Sequence, residues 1–216
     1  MLLKLDNEHK DIVLNYVAKE PSINLFIIGD IEQYGFDKDF QDVWGKFDDE
    51  NNLKGVLLRF TNNFVPYIEN LDEDISEFKE IIKSYKGNKI IPGKDTIIEK
   101  FKDVIDDYEE KPTYFCELRD NKKLLPWDDS IKLGKEEDAK RIYDLLITIE
   151  EFNIKDSVDT IRDRIQDNSK IVYYIENDDK EIITMSQVVA ENSKSAMIVG
   201  VATRKGYMSK CLSKLC

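Results

Sequence analysis

The sequence predicts an α+β fold, mixed α/β in character, in which two tandem units each build a mostly antiparallel sheet flanked by helices. Three observations carry that expectation. Each half holds a run of three strand-type segments separated by short polar turns. A pair of amphipathic helical patterns precedes each run. The openers Lys4-Leu5-Asp6-Asn7-Glu8 and Lys132-Leu133-Gly134-Lys135-Glu136 stand 128 residues apart, as a divergent internal duplication would place them. Charges, Pro126 and turn residues make 122–130 a linker, which sets the units at 1–125 and 126–216.

In the first unit Ile12, Val13, Tyr16 and Val17 recur at helical steps, and helices are expected over 10–18 and 24–33. Strands follow over 42–47, 53–60 and 64–68. Pro66 cannot donate to a ladder, so the last of these belongs at an edge or a bulge. Ile75, Phe78, Ile82 and Tyr85 then mark a helix, Lys89-Ile90-Ile91 a short strand, and Ile97, Phe101 and Val104 another helix. A closing strand is expected over 113–118. In the second unit Ala139, Ile142, Leu146 and Ile149 predict one helix and 158–165 a second. Ile171-Val172-Tyr173-Tyr174-Ile175 reads as a strand with one tyrosine in the core and the other toward a cleft. Asn177-Asp178-Asp179 turns into a strand over 182–190, and Glu191-Asn192-Ser193-Lys194 into a third over 196–202, completing an antiparallel meander. A helix is expected to open over 210–215. Beyond Ile68 the first unit runs on for 57 residues, whereas the second has 13 after Thr203. The second unit is therefore expected to lack the first one's closing elements, either as part of a longer chain or as a truncated fold.

Composition excludes several classes of function. The 216 residues are 41% hydrophobic and 10% aromatic, enough for packed cores. With 32 basic and 44 acidic residues the net charge is −12, which repels phosphates at long range and argues against nucleic acid or an anionic membrane as partner. No apolar run approaches the roughly 20 residues that cross a bilayer, and charges interrupt the first residues where a signal peptide would be apolar. Cys116, Cys211 and Cys216 lack framework spacing, which fits a reducing, cytoplasmic setting. Cys211 and Cys216 are five apart, on different faces of a helix, and His9 is the single histidine. No metal centre and no Ser-His-Asp triad are expected. His9 reads as a surface residue, and Trp44 and Trp127 as packing residues. Asp48-Asp49-Glu50 and Asp178-Asp179 read as turn formers without the oxygen spacing of a calcium loop.

The charge is uneven. Up to residue 125 there are 27 acidic and 18 basic residues, but from Asn192 to Cys216 five basic residues and no acidic one. A strand that runs into a glycine-containing turn and then a helix presents free N–H groups to an anion. Gly200-Val201-Ala202-Thr203 followed by Arg204-Lys205-Gly206-Tyr207-Met208-Ser209 has that form, with two cations beside Gly206. An ordinary strand-to-helix turn with solvated lysines accounts for the same spacing.

The segment 195–211 resembles the acetyl-CoA site of the GNAT N-acetyltransferases, whose fourth strand is like Val199-Gly200-Val201-Ala202-Thr203 and leads into an Arg/Gln-x-x-Gly-x-Gly/Ala loop. The element order of 130–216 is similar to the first two-thirds of that fold, and 1–125 resembles a second, degenerate copy. The chain departs from the pattern in three places. Thr203 stands three before Gly206 where the family has Arg or Gln, so the loop is about four residues short; Met208 stands where the family prefers Gly or Ala; and the family's tyrosine acid on the next helix has no counterpart. The resemblance implies an N-acetyltransferase. Gly200, Val201 and Ala202 would bond the pantetheine arm, amides from Gly206 to Ser209 would hold the pyrophosphate, and Arg204, Lys205 or Lys210 would lie near the 3′-phosphate. A small-molecule or peptide amine would attack the thioester directly. Glu150 and Glu151, in the loop where such enzymes contact substrate, are candidates to meet that amine, with solvated surface glutamates as the plainer reading. In the first unit the matching loop, Glu69-Asn70-Leu71-Asp72-Glu73-Asp74, has no glycine and four carboxylates, so cofactor binding is expected to be lost there. The rival expectations are a non-catalytic acyl-CoA-binding or scaffolding protein and a module whose acidic first unit docks a basic partner.

Overall fold

The computed structural model of the chain describes residues 1–36, 38–152 and 154–207. These divide into two compact units, Met1–Cys116 with Asn192–Ser195, and the remaining described residues. Each unit carries a four-stranded antiparallel sheet.

In the first unit the order is β1 (Leu2–Lys4), α1 (Lys10–Val17), α2 (Leu25–Tyr34), β2 (Gln41–Phe47), β3 (Leu53–Phe60), β4 (Asn63–Ile68), α3 (Ser76–Ser84) and α4 (Asp95–Ile98), which continues as a 3-10 turn through Val104. The strands lie side by side as β1-β2-β3-β4. Asp6, two residues beyond β1, accepts the Glu8 N–H at 2.9 Å, so the chain turns directly toward α1. Helices cover both sheet faces. On one, the α1 ring of Tyr16 meets Tyr67 of β4 edge-on. On the other, Phe78 of α3 sits close over Gly55 of β3, and Tyr85 packs on Trp44 and Phe64. Val13, Val17, Ile27, Ile28, Ile31, Phe78, Ile82, Ile97 and Phe101 are buried in this core. Pro66 does fall in the last strand of the ladder, β4. Beyond it, Ile90 makes a single parallel bridge to Asn63, all that forms of the short strand expected at 89–91.

The strand expected over 113–118 is not formed. Its residues have strand propensity, but propensity needs a ladder partner, and here Tyr114 is fully exposed and Phe115 and Leu118 are exposed as well. The unit boundary correspondingly falls at Cys116, ahead of the linker expected at 122–130.

The second unit contains β5 (Lys132–Leu133), α5 (Ala139–Leu146), α6 (Val158–Gln166), β6 (Ile171–Glu176), β7 (Ile182–Val189) and β8 (Met197–Thr203), ordered β5-β6-β7-β8. The Lys135 N–H donates to Asp138 Oδ2 at 3.0 Å, and Ser157 Oγ accepts the Thr160 N–H at 3.1 Å, which fixes the two helix starts. Ala139, Ile142, Leu145 and Leu146 face Val172, Tyr174, Ile182, Met185 and Ala202. Tyr174 is buried in that core, whereas the half-buried Tyr173 meets the exposed Trp127 edge-on. Glu176 ties the unit together: Lys132 of β5 at 2.7 Å, Lys180 of the β6–β7 turn at 3.0 Å and Arg141 of α5 at 2.5 Å all reach its carboxylate.

Over their first three strands and first helix the two units repeat one another residue by residue. Val43 pairs with Leu58 and Val172 with Gln187, and both members differ by 129 (172 − 43 and 187 − 58). The same offset relates α1 to α5, Lys4↔Trp44 to Leu133↔Tyr173, and Phe47↔Leu53 to Glu176↔Ile182. Even the irregularity at Lys46/Phe47 recurs at Ile175/Glu176. The openers align one residue further apart than their sequences indicate, because Leu5 and Gly134 are the residues whose N–H groups reach Val43 O and Val172 O.

Candidate functional site

The residues singled out on β8 and the turn after it are brought together at one edge of the second sheet. Met185 pairs with Ala202 and Gln187 with Val199, so Ser186 faces two residues, Gly200 and Val201. This is a bulge, and Gly200 supports it with φ +56°, a conformation that costs a residue with a side chain. Space makes the same demand, since a Cβ on Gly200 would lie 2.6 Å from Gln187 Nε2. The matching strand of the first unit, β4, pairs through Leu57↔Pro66 without such a shift.

After the bulge the Arg204 N–H donates to Ile183 O at 2.8 Å. Strand alternation then directs the backbone of Ala202 toward β7 and that of Thr203 toward the open side of β8. Ala202 is buried beneath α5, while Val201 is exposed. Arg204, Lys205, Gly206 and Tyr207 form a turn closed by the Tyr207 N–H on Arg204 O at 3.0 Å, with Gly206 at φ +95°. Arg204 Nε donates to Ile182 O at 3.3 Å, Lys205 is exposed, and Tyr207 packs on Ile175 and Ile183. A Cβ on Gly206 would meet nothing within 4 Å, so the tip of the turn is open to close approach. Met208 and Ser209, and the helix expected over 210–215, lie outside the described residues.

The sequence reading missed the polar lining beside this edge. Thr184, Ser186 and Gln187 are buried on β7, and Thr184 Oγ1 reaches Ala202 O at 3.0 Å and Thr203 Oγ1 at 2.9 Å. Their counterparts in the first unit are Gly55, Leu57 and Leu58. The signal was present, since three polar residues in a central strand do not fit an apolar core strand. Glu150 and Glu151 are exposed between α5 and α6 and are not brought into the β8 edge by any hydrogen bond or ion pair seen among the described residues.

In the first unit the carboxylates after β4 are matched by lysines. Lys46 lies 3.8 Å from Glu73 and 3.5 Å from Asp74, and Lys19 lies 2.6 Å from Glu69. Among the described residues no three His, Cys, Asp or Glu side chains converge as a metal site, and no helix is long and apolar enough to cross a membrane. No protein-family model matches the chain, and no curated protein matches its sequence.

Proposed function

We propose that the second unit is an N-acetyltransferase module of the GNAT type, taking acetyl-CoA along the β8 edge and passing its acetyl group to an amine. The observation that carries the reading is the bulge at Gly200 running directly into the Arg204–Tyr207 turn, with its exposed Lys205 and open Gly206. An edge strand accepts an extended amide-bearing arm as it would another strand, and the outward backbone of Thr203 is placed for that. The turn offers a cation and main-chain groups to the phosphates.

In the reaction the amine nitrogen attacks the thioester carbonyl carbon, a C–N bond forms, the C–S bond breaks, and coenzyme A leaves as a thiolate. The proton lost by nitrogen passes to a base and finally to the thiolate. Glu150 and Glu151, exposed between α5 and α6, are the carboxylates proposed to meet the amine, on the family resemblance alone. Titrating the full chain with acetyl-CoA by calorimetry tests the binding step, and thiol release over a panel of amines tests the transfer. Binding that Lys205→Glu weakens supports the reading, and the same loss in Arg204→Glu with Lys205→Glu strengthens it. Absence of binding overturns it. Binding without thiol release from any amine supports the non-catalytic acyl-CoA-binding alternative instead.

A further inference from the structure

We infer that the chain pairs with a second copy of itself, segment 113–118 of each copy adding as a fifth strand to the outer edge of β8 in the other. The inference does not rest on the acetyl-CoA reading, since it is read from association alone, although both claim the same edge. Thr113-Tyr114-Phe115-Cys116-Glu117-Leu118 has the β-branched and aromatic residues of a strand and takes part in no ladder. Every one of these residues is exposed, Tyr114 completely, so their apolar side chains have all their burial still to gain.

Among the described residues one sheet edge is long enough to receive it. β1 has three residues and β5 two, and β4 carries Pro66 and already meets Ile90. β8 has seven residues and no strand beyond it in the order β5-β6-β7-β8. The side chains match as well. Ala202 packs under α5 and Val199 lies on the same side of the sheet, so Ile198 and Val201 lie on the other, where they are 54% and 37% exposed. In an extended segment Tyr114, Cys116 and Leu118 share one face, and Tyr114 and Leu118 set beside Ile198 and Val201 make apolar cross-strand pairs. The charges agree with this partner. Residues 106–120 include six acidic and two basic side chains, with Asp106 and Asp107 exposed. Lys194 and Lys205, at the two ends of β8, are exposed and carry no ion pair among the described residues. A second copy is the occupant because within one chain the segment and the edge both stand unpaired. Two copies exchanging segments make two identical contacts about a twofold axis, which closes the assembly at a dimer.

The test is sedimentation of the full chain from micromolar to submillimolar concentration, without acetyl-CoA. The mass is expected to rise from that of one chain to that of two. Tyr114→Pro with Phe115→Pro removes an N–H from each side of the segment, so a donor facing β8 is lost in any register, and dimerisation is expected to weaken by about tenfold or more. Both residues are exposed, so the Tm of the monomer should stay unchanged. Ile198→Lys, at an exposed position on β8, is expected to weaken dimerisation from the other side. An equimolar mixture of the two variants keeps one intact segment and one intact edge, and is expected to associate where neither variant does alone. Mixing would not rescue a fold that the substitutions had damaged. A wild-type chain that stays monomeric at submillimolar concentration overturns the proposal. A dimer that both variants leave intact overturns it too, as does a mixture that fails to associate. None of these outcomes bears on acetyl-CoA binding, which calorimetry reads separately.

Discussion

Gln187 and Gly200 define each other in the second sheet: the glutamine amide occupies the volume that a Cβ on residue 200 would need, 2.6 Å from its Nε2. The counterparts in the first unit are Leu58 and the Pro66 region, an apolar pairing in a regular ladder. Gly200→Ala is therefore expected to destabilise the second unit by about 1–3 kcal/mol, measured by urea unfolding. Adding Gln187→Ala should recover the part due to contact and leave about 1 kcal/mol for the positive φ. Full recovery would show that φ is relaxed at this position.

Arg59 holds a buried carboxylate and three carbonyls at once. Burial pushes the Asp42 carboxyl up, but hydrogen bonds from Lys4, Arg59 and Tyr85 outweigh it and hold the group below its usual range. Arg59→Met is expected to cost about 3 kcal/mol, because it leaves Asp42 buried with less compensation. Asp42→Leu combined with Arg59→Met should recover most of that loss in chemical denaturation. A double variant as unstable as the single one would place the cost in the carbonyl contacts instead.

Burial pushes the Asp30 carboxyl up to about 7. The folded state then binds a proton that the unfolded chain has already released, so stability falls as pH rises from about 4 to about 7 and is flat above that. Asp30→Asn is expected to change little near pH 4 and to stabilise by on the order of 1–2 kcal/mol at about pH 8, after discounting for the partial exposure of the group. Parallel stability curves for the two proteins across that range would contradict the shift.

Glu176 shows the opposite sign. Hydrogen bonds from Lys132 and Lys180, opposed by burial and reinforced by Arg141, bring its carboxyl down from 4.5 to about 2. Its stabilisation is present above pH 4.5 and is lost as pH falls toward 2. Glu176→Gln should lower Tm at neutral pH, and the difference should close on acidification through that window. A difference independent of pH would mean that packing, not charge, sets the role of this side chain.

Much of the architecture was legible because helix and strand periodicities are local. Val13 and Ile142 mark the buried stripes of α1 and α5, and the meander from Ile171 to Thr203 follows alternation and polar turns. Two kinds of feature were not. The strands β1 and β5 have three and two residues, too few to show a period, and exist because β2 and β6 receive them. The expected strand at 113–118 shows the converse, a suitable local sequence for which the fold supplies no ladder. At the candidate site, Gly200 and Gly206 could be picked out by residue type. The bulge opposite Ser186 could not, since it depends on register and on neighbours distant in sequence.

The offset of 129 residues shared by the first three strands of the two sheets has a consequence for folding. Two stretches with one topology and one register in a single chain can exchange hairpins while both are still forming, which traps tandem repeats in misassembled states. The sequences carry a guard against this at the cross-strand pair Asp42↔Arg59, whose counterpart is Ile171↔Val188. A β2–β3 hairpin seated in the wrong sheet would bury its ion pair away from Lys4 and Tyr85, and a β6–β7 hairpin in the reverse exchange would leave the Tyr85 hydroxyl without Asp42. Divergence at that pair therefore disfavours both exchanged arrangements, apart from anything it contributes to the finished structure.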